Sequence, residues 1–82
     1  MPIFKNKLDE LLADGVLASG TMKQVVLEQV RAYLRETPIQ QLKLEVSQLK
    51  SLPQLAFLQA AGVPGGLQPV FLNLYAELSG KL

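Results

Sequence analysis

The residues that could do chemistry in this chain are few, because its 82 residues include neither histidine nor cysteine. That composition excludes disulfides, thiol nucleophiles, c-type haem attachment and zinc sites of the usual Cys/His kind. An acid/base pair would have to use Asp, Glu, Lys or Tyr alone. Asp9 and Glu10 are adjacent, but neighbours on a helix point about 100° apart and cannot share a proton. Tyr33 and Tyr75 fall on apolar helix faces, where tyrosine usually packs in the core. We therefore expect no catalytic residue and no enzyme activity.

Two glycine-containing turns invite comparison with ligand-binding loops. Asp14-Gly15 is followed by Val16, Leu17 and Ala18, none of which could coordinate calcium as an EF-hand loop does. Val63-Pro64-Gly65-Gly66 precedes a helix, but the Lys and Ser/Thr of a phosphate-binding loop are absent. Both stretches are therefore interpreted as structural turns, and the sequence predicts no metal, cofactor or nucleotide site.

Turn and capping signals divide the chain into five short helices. Three stretches begin with Thr or Ser and carry Gln three residues later, as in a capping box; they start at Thr21, Thr37 and Ser51. Gly15 and Gly62 suit the residue after a helix end, and Pro38 disfavours a helical residue before it. The predicted helices span about 3–14, 22–36, 38–50, 52–61 and 67–79. This is an all-α, compact single domain covering 1–82.

Apolar residues recur with helical spacing in each segment except a short alternating stretch. The predicted core faces comprise Phe4, Leu8, Leu11 and Leu12; Met22, Val26, Val30, Tyr33 and Leu34; Ile39, Leu42, Val46 and Leu49; and Leu67, Phe71, Leu74, Tyr75, Leu78 and Leu82. Residues 42–47 alternate as a half-buried strand would. Helix is preferred there because Ile39 and Leu49 extend the helical pattern on either side.

The distribution of charge separates the two halves of the chain. Charged residues make up 18% of it, against about 25% in an average soluble protein, and Glu77 is the only one between Lys50 and Lys81. Solvated helix faces normally carry Lys, Glu or Arg. Leu44, Phe57 and Leu72 fall off the core faces of their helices, so we expect them to bind a partner. The alternative is that the last two helices are buried on both sides within the monomer.

These observations favour a protein–protein interaction or small regulatory module that forms a homodimer through its C-terminal helices or binds another protein. One alternative is a DNA-binding regulator that uses Gln40, Gln41, Lys43 and Lys50, although a net charge of +1 gives little attraction to nucleic acid. Another is a peripheral membrane protein, which a missing Lys/Arg fringe and the lack of Trp argue against. Without a signal-like start or a long apolar run, the expected compartment is the cytoplasm.

Overall fold

A computed structural model describes residues 6–80, and this part of the chain contains five α-helices and no strand. They are α1 Lys7–Leu17, α2 Thr21–Glu36, α3 Ile39–Ser47, α4 Leu52–Ala61 and α5 Gln68–Leu78, with a 3₁₀ turn at Gly65–Leu67 before α5. The all-α prediction is confirmed, and the alternating stretch at 42–47 lies within α3. The Cα radius of gyration is 12.0 Å, close to the value of about 12 Å expected for a compact chain of this length.

The hydrophobic core is one cluster to which all five helices and the 3₁₀ turn contribute. α1 packs against α2, α3 and α4, whereas α5 covers the other end of the core by packing against α3 and α4. Leu8 and Leu12 of α1 are completely buried. α1 is therefore the helix around which most of the others are arranged.

Most of the predicted core positions are buried, and the exceptions lie at the edges of the predicted faces. Met22 is 57% exposed and Tyr75 is 40% exposed, so placing them in the core was wrong. Each lies at the side of its helix face, where only part of the side chain is covered. Ile39, in the first turn of α3, is likewise only partly covered, being 36% exposed. Phe4 and Leu82 lie outside the described residues.

The capping boxes mark the helix starts to within a residue, but their side chains do not form the expected bonds. The residue before α3 is Pro38, and no side-chain cap bond is present there; Thr37 instead ends α2. Ser51 precedes α4, also without a side-chain cap bond. Proline near the start of a helix has its φ angle already set for helix, which explains why α3 and α4 begin where they do. The side-chain cap is at α1, where Asn6 Oδ1 accepts a hydrogen bond from Asp9 N at 2.7 Å.

Gly15 was expected to end the first helix, and this was wrong because α1 continues to Leu17. Gly15 is a buried position within the helix, and a Cβ placed on it would overlap the far end of the Phe57 ring. The glycine is needed because the phenyl ring of α4 lies directly on the backbone of α1. Lys23 of α2 contacts both partners. Its Nζ lies 5.5 Å from the centroid of the Phe57 ring and donates a hydrogen bond to the carbonyl oxygen of Gly15 at 3.4 Å.

Replacing Gly15 with Ala should destabilise the chain by about 1–3 kcal/mol, the usual cost of overpacking a core. The reason is that the buried Phe57 ring would have to leave its contact with the α1 backbone to make room for the methyl group. At an ordinary position within a helix the same replacement stabilises by about 1 kcal/mol. Thermal unfolding followed by circular dichroism shows whether the replacement lowers or raises the stability of the chain.

The matched control is Gly15→Ala in a Phe57→Leu background, where no ring covers the glycine. There the added methyl group should be neutral or stabilising. If Gly15→Ala stabilises the chain that retains Phe57, the ring does not limit the approach of α1 and α4.

Candidate protein interface

The three residues expected to bind a partner are placed differently by the structure. Leu44 is 61% exposed and Leu72 is 58% exposed, as that expectation requires. Phe57 is 6% exposed and belongs to the core, so its placement on a second, outward face was wrong. The buried arc of α4 is wider than the helical wheel indicated, because Gly15 lets α1 approach closely enough to cover the ring.

The outer face of α4 is formed by small, uncharged residues. Pro53, Ala56 and Ala60 are exposed there, one helical turn apart, with Leu52 and Gln59 beside them. α4 contains no charged residue, so the polar side chain on its solvent side is the uncharged amide of Gln59. The spacing of Ala56 and Ala60 is the sequence signal that could have identified this face in place of Phe57.

A shallow depression of about 280 Å³ lies on this side of the molecule. Its lining comes from the end of α1, the start of α2 and the outer face of α4: Val16, Lys23, Pro53, Ala56, Phe57 and Ala60. We call this depression the α4 groove. The Lys23 ammonium is the one charged group in its lining, and the rest of the lining is mainly apolar.

The outer face of α5 is also poor in charge, but its exposed residues include large apolar side chains. Leu72 and Tyr75 are both exposed, and the Tyr75 ring stacks on buried Phe71 with centroids 6.2 Å apart. Glu77 is the one charged residue of this helix, and it lines a separate depression between α3 and α5. The charge-poor half of the chain thus presents one face of small residues and one of large residues.

The most polar part of the interior is a cluster around Glu45 that joins three helices. The carboxylate is 5% exposed and accepts hydrogen bonds from Leu8 N at 3.0 Å, Tyr33 Oη at 2.8 Å and Gln41 Nε2 at 3.0 Å. Because Leu8 lies in the first turn of α1, the carboxylate also meets the positive end of that helix. The carboxylate of Glu45 thus links α1, α2 and α3 through hydrogen bonds.

The buried amide of Gln54 connects α4 with α1, separately from the Glu45 cluster. Gln54 is 8% exposed, and its Nε2 donates to the carbonyl oxygen of Asp9 at 3.0 Å and to Asp9 Oδ1 at 2.6 Å. No buried side-chain nitrogen or oxygen of the described residues lacks a hydrogen-bond partner. The polar groups of the interior are therefore used to hold helices together.

The candidates for DNA contact differ in their exposure, and the acidic residues are spread over the described part of the chain. Among the DNA-contact candidates, Gln40, Gln41 and Lys50 are exposed and Lys43 is half-buried. The Gln41 amide nitrogen also donates a hydrogen bond to Glu45. Within residues 6–80, no group of three or more acidic side chains is placed to hold a metal ion. None of the helices in this range is long and apolar enough to cross a membrane.

Replacing Tyr33 with Phe should destabilise the chain by about 1–2 kcal/mol, since it removes a hydroxyl that donates to both oxygens of a buried carboxylate. Tyr75→Phe is the matched control, because the Tyr75 hydroxyl forms no hydrogen bond with the described residues; it should change stability little. Urea unfolding measures both. Equal effects for the two variants would contradict the role assigned to Tyr33.

The same hydroxyl should give the fold a dependence on alkaline pH. Burial, followed by the hydrogen bond and the negative charge of Glu45, raises the pKa of Tyr33 above its usual value. The unfolded phenol loses its proton near pH 10 while the folded one keeps it. The stability from this group is therefore complete below about pH 10 and is lost as the pH rises further. The difference in unfolding free energy between the native chain and Tyr33→Phe should shrink above pH 10, and a constant difference would contradict this.

Comparison of the chain with protein-family models, with curated proteins and with solved structures found no match. A function must therefore be inferred from the surface of the molecule. The features that stand out on that surface are the uncharged outer faces of α4 and α5.

Proposed function

We propose that this chain is a non-enzymatic protein–protein interaction module that associates with a second copy of itself through its C-terminal helices. The observation that carries the proposal is Leu72, which is 58% exposed on a helix whose one charged residue is Glu77. An exposed leucine alone is common on protein surfaces. An exposed leucine on a helix pair that carries a single charged residue is the pattern of a contact surface.

The small size of the chain supports association. With 82 residues and no cysteine, it buries only about 60–65% of the surface of its unfolded form and has no disulfide to add stability. A dimer interface of ordinary size covers about 800 Å² on each partner. Apolar burial on that scale would supply stability that the core alone lacks.

We propose a non-enzymatic function because of the chemistry of the side chains. The sequence has no His or Cys, and the buried carboxylate of Glu45 is occupied by hydrogen bonds from three groups of the fold. A regulatory role, in which association controls another process, fits the same surface. A cytoplasmic location is part of the proposal and follows from the sequence pattern alone.

Light scattering at micromolar concentration should give about twice the chain mass of 9.0 kDa. Leu72→Glu should return the mass to that of one chain while circular dichroism stays helical, because an exposed glutamate is solvated in the monomer but would be desolvated in the dimer. Val25→Glu is the control, since Val25 is 46% exposed on α2, outside the C-terminal helices, and it should leave the mass unchanged.

A native chain that remains monomeric at high concentration would contradict self-association and leave a different protein as the partner. Leu44→Glu, tested in parallel, determines whether the contact extends to α3. A loss of mass in this variant as well would place Leu44 inside the interface.

A further inference from the structure

The α4 groove is a mainly apolar depression on the outer side of α4, a helix without any charged residue. Its floor includes the Phe57 ring, and its walls include Ala56 and Ala60. Small side chains on an exposed helix face leave space for a larger side chain from outside. A side chain that fills the groove should therefore be apolar, project from its own surface and carry no charge at its end.

The charges of the molecule restrict which part of a second copy could fill it. α1 exposes Glu10 and Asp14, and α2 carries Glu28 and Arg31, all of which would lose water in an apolar groove. α5 presents Leu72 with uncharged Gln68 and Tyr75 on the same side.

The charge beside the α4 groove and the charge on α5 have opposite signs. The cation at the rim of the groove is Lys23, which forms no ion pair with a carboxylate of the described residues. The anion of α5 is Glu77, which is exposed. A neutral centre with opposite charges at the two edges is the complementarity that fixes the register of an interface.

We propose that Leu72 of one copy inserts into the α4 groove of the other, between Ala56 and Ala60 and against the edge of Phe57. This inference rests on the proposed self-association and assigns its geometry. The contact pairs α5 of each copy with α4 of its partner, so a two-fold axis allows both grooves to be filled at once.

The lack of cysteine in the native sequence makes disulfide cross-linking a direct test. Leu72→Cys chains, isotopically labelled, are mixed with unlabelled Ala56→Cys or Ala60→Cys chains under mild oxidation, and mixed disulfides are identified by mass. Disulfides form only when the Cβ atoms approach to about 3.5–4.5 Å. Mixing Leu72→Cys with Val25→Cys is the control, because Val25 is also exposed but lies outside the groove.

The proposal expects mixed disulfides of Leu72→Cys with at least one of the two alanine positions, well above the yield with Val25→Cys. A yield equal to the control, or a product dominated by disulfides between two Leu72→Cys chains, would overturn it. Light scattering on the native chain distinguishes a failure to self-associate from a dimer with a different interface. A monomer removes self-association altogether, whereas a dimer without the mixed disulfide removes only the groove geometry.

Ala60→Glu gives a second measurement that does not depend on oxidation. Ala60 is exposed in the monomer, so the variant should stay folded, but a charge inside the groove should weaken dimerisation by about tenfold or more. An unchanged dissociation constant would overturn the placement of Leu72 in the groove, while dissociation by Leu72→Glu alone would retain α5 as the interface.

Discussion

The contact of the Phe57 ring with the backbone of Gly15 determines how closely α1 and α4 approach each other, and much of the structure depends on it. A methyl group on Gly15 would overlap the ring, so the two helices are in contact there through a glycine on one side and a large aromatic side chain on the other. Because the ring is covered, α4 turns its small residues, Ala56 and Ala60, to the outside. The character of the exposed face of α4 is thus a consequence of packing inside the molecule.

The beginning of α1 is held by a different kind of interaction. Glu45 is a buried carboxylate that meets the first turn of α1 and the Tyr33 hydroxyl, while Asn6 caps the same turn. Apolar contacts specify how much surface is buried but only weakly specify orientation, whereas a buried carboxylate must be met by particular donors. In a chain with a thin core, such a cluster defines the position of α1 relative to α2 and α3. Burying the Glu45 carboxylate costs free energy because it loses water. The hydrogen bonds and the positive end of α1 offset that loss.

The sequence was sufficient for the number of helices, for most core positions and for the end of α4 at Gly62, because helical spacing and turn residues act locally. It was insufficient at Gly15, because a glycine that ends a helix and one that admits a neighbouring ring have the same local sequence. It was insufficient at Phe57 for the same reason, since the wheel of α4 cannot show that α1 comes close enough to cover the ring. Glu45 was missed because a charged residue on an apolar face is normally solvated, and its partners at Leu8 and Tyr33 are distant in sequence.

Exposure by itself does not distinguish a contact surface on this protein. Leu17, at 85%, is more exposed than either Leu44 or Leu72, yet Asp14 is exposed one turn before it on α1. A charge beside an apolar side chain keeps its surroundings hydrated, so covering Leu17 would require that charge to lose water as well. Around Leu72 that cost is nearly absent, because Glu77 is the only charged residue of α5 and α4 has none. The free energy of covering a leucine is similar at both sites; what differs is the free energy of covering its neighbours. The C-terminal helix pair, in which Glu77 is the single charged residue, is therefore the surface that we propose for association, rather than the most exposed leucine.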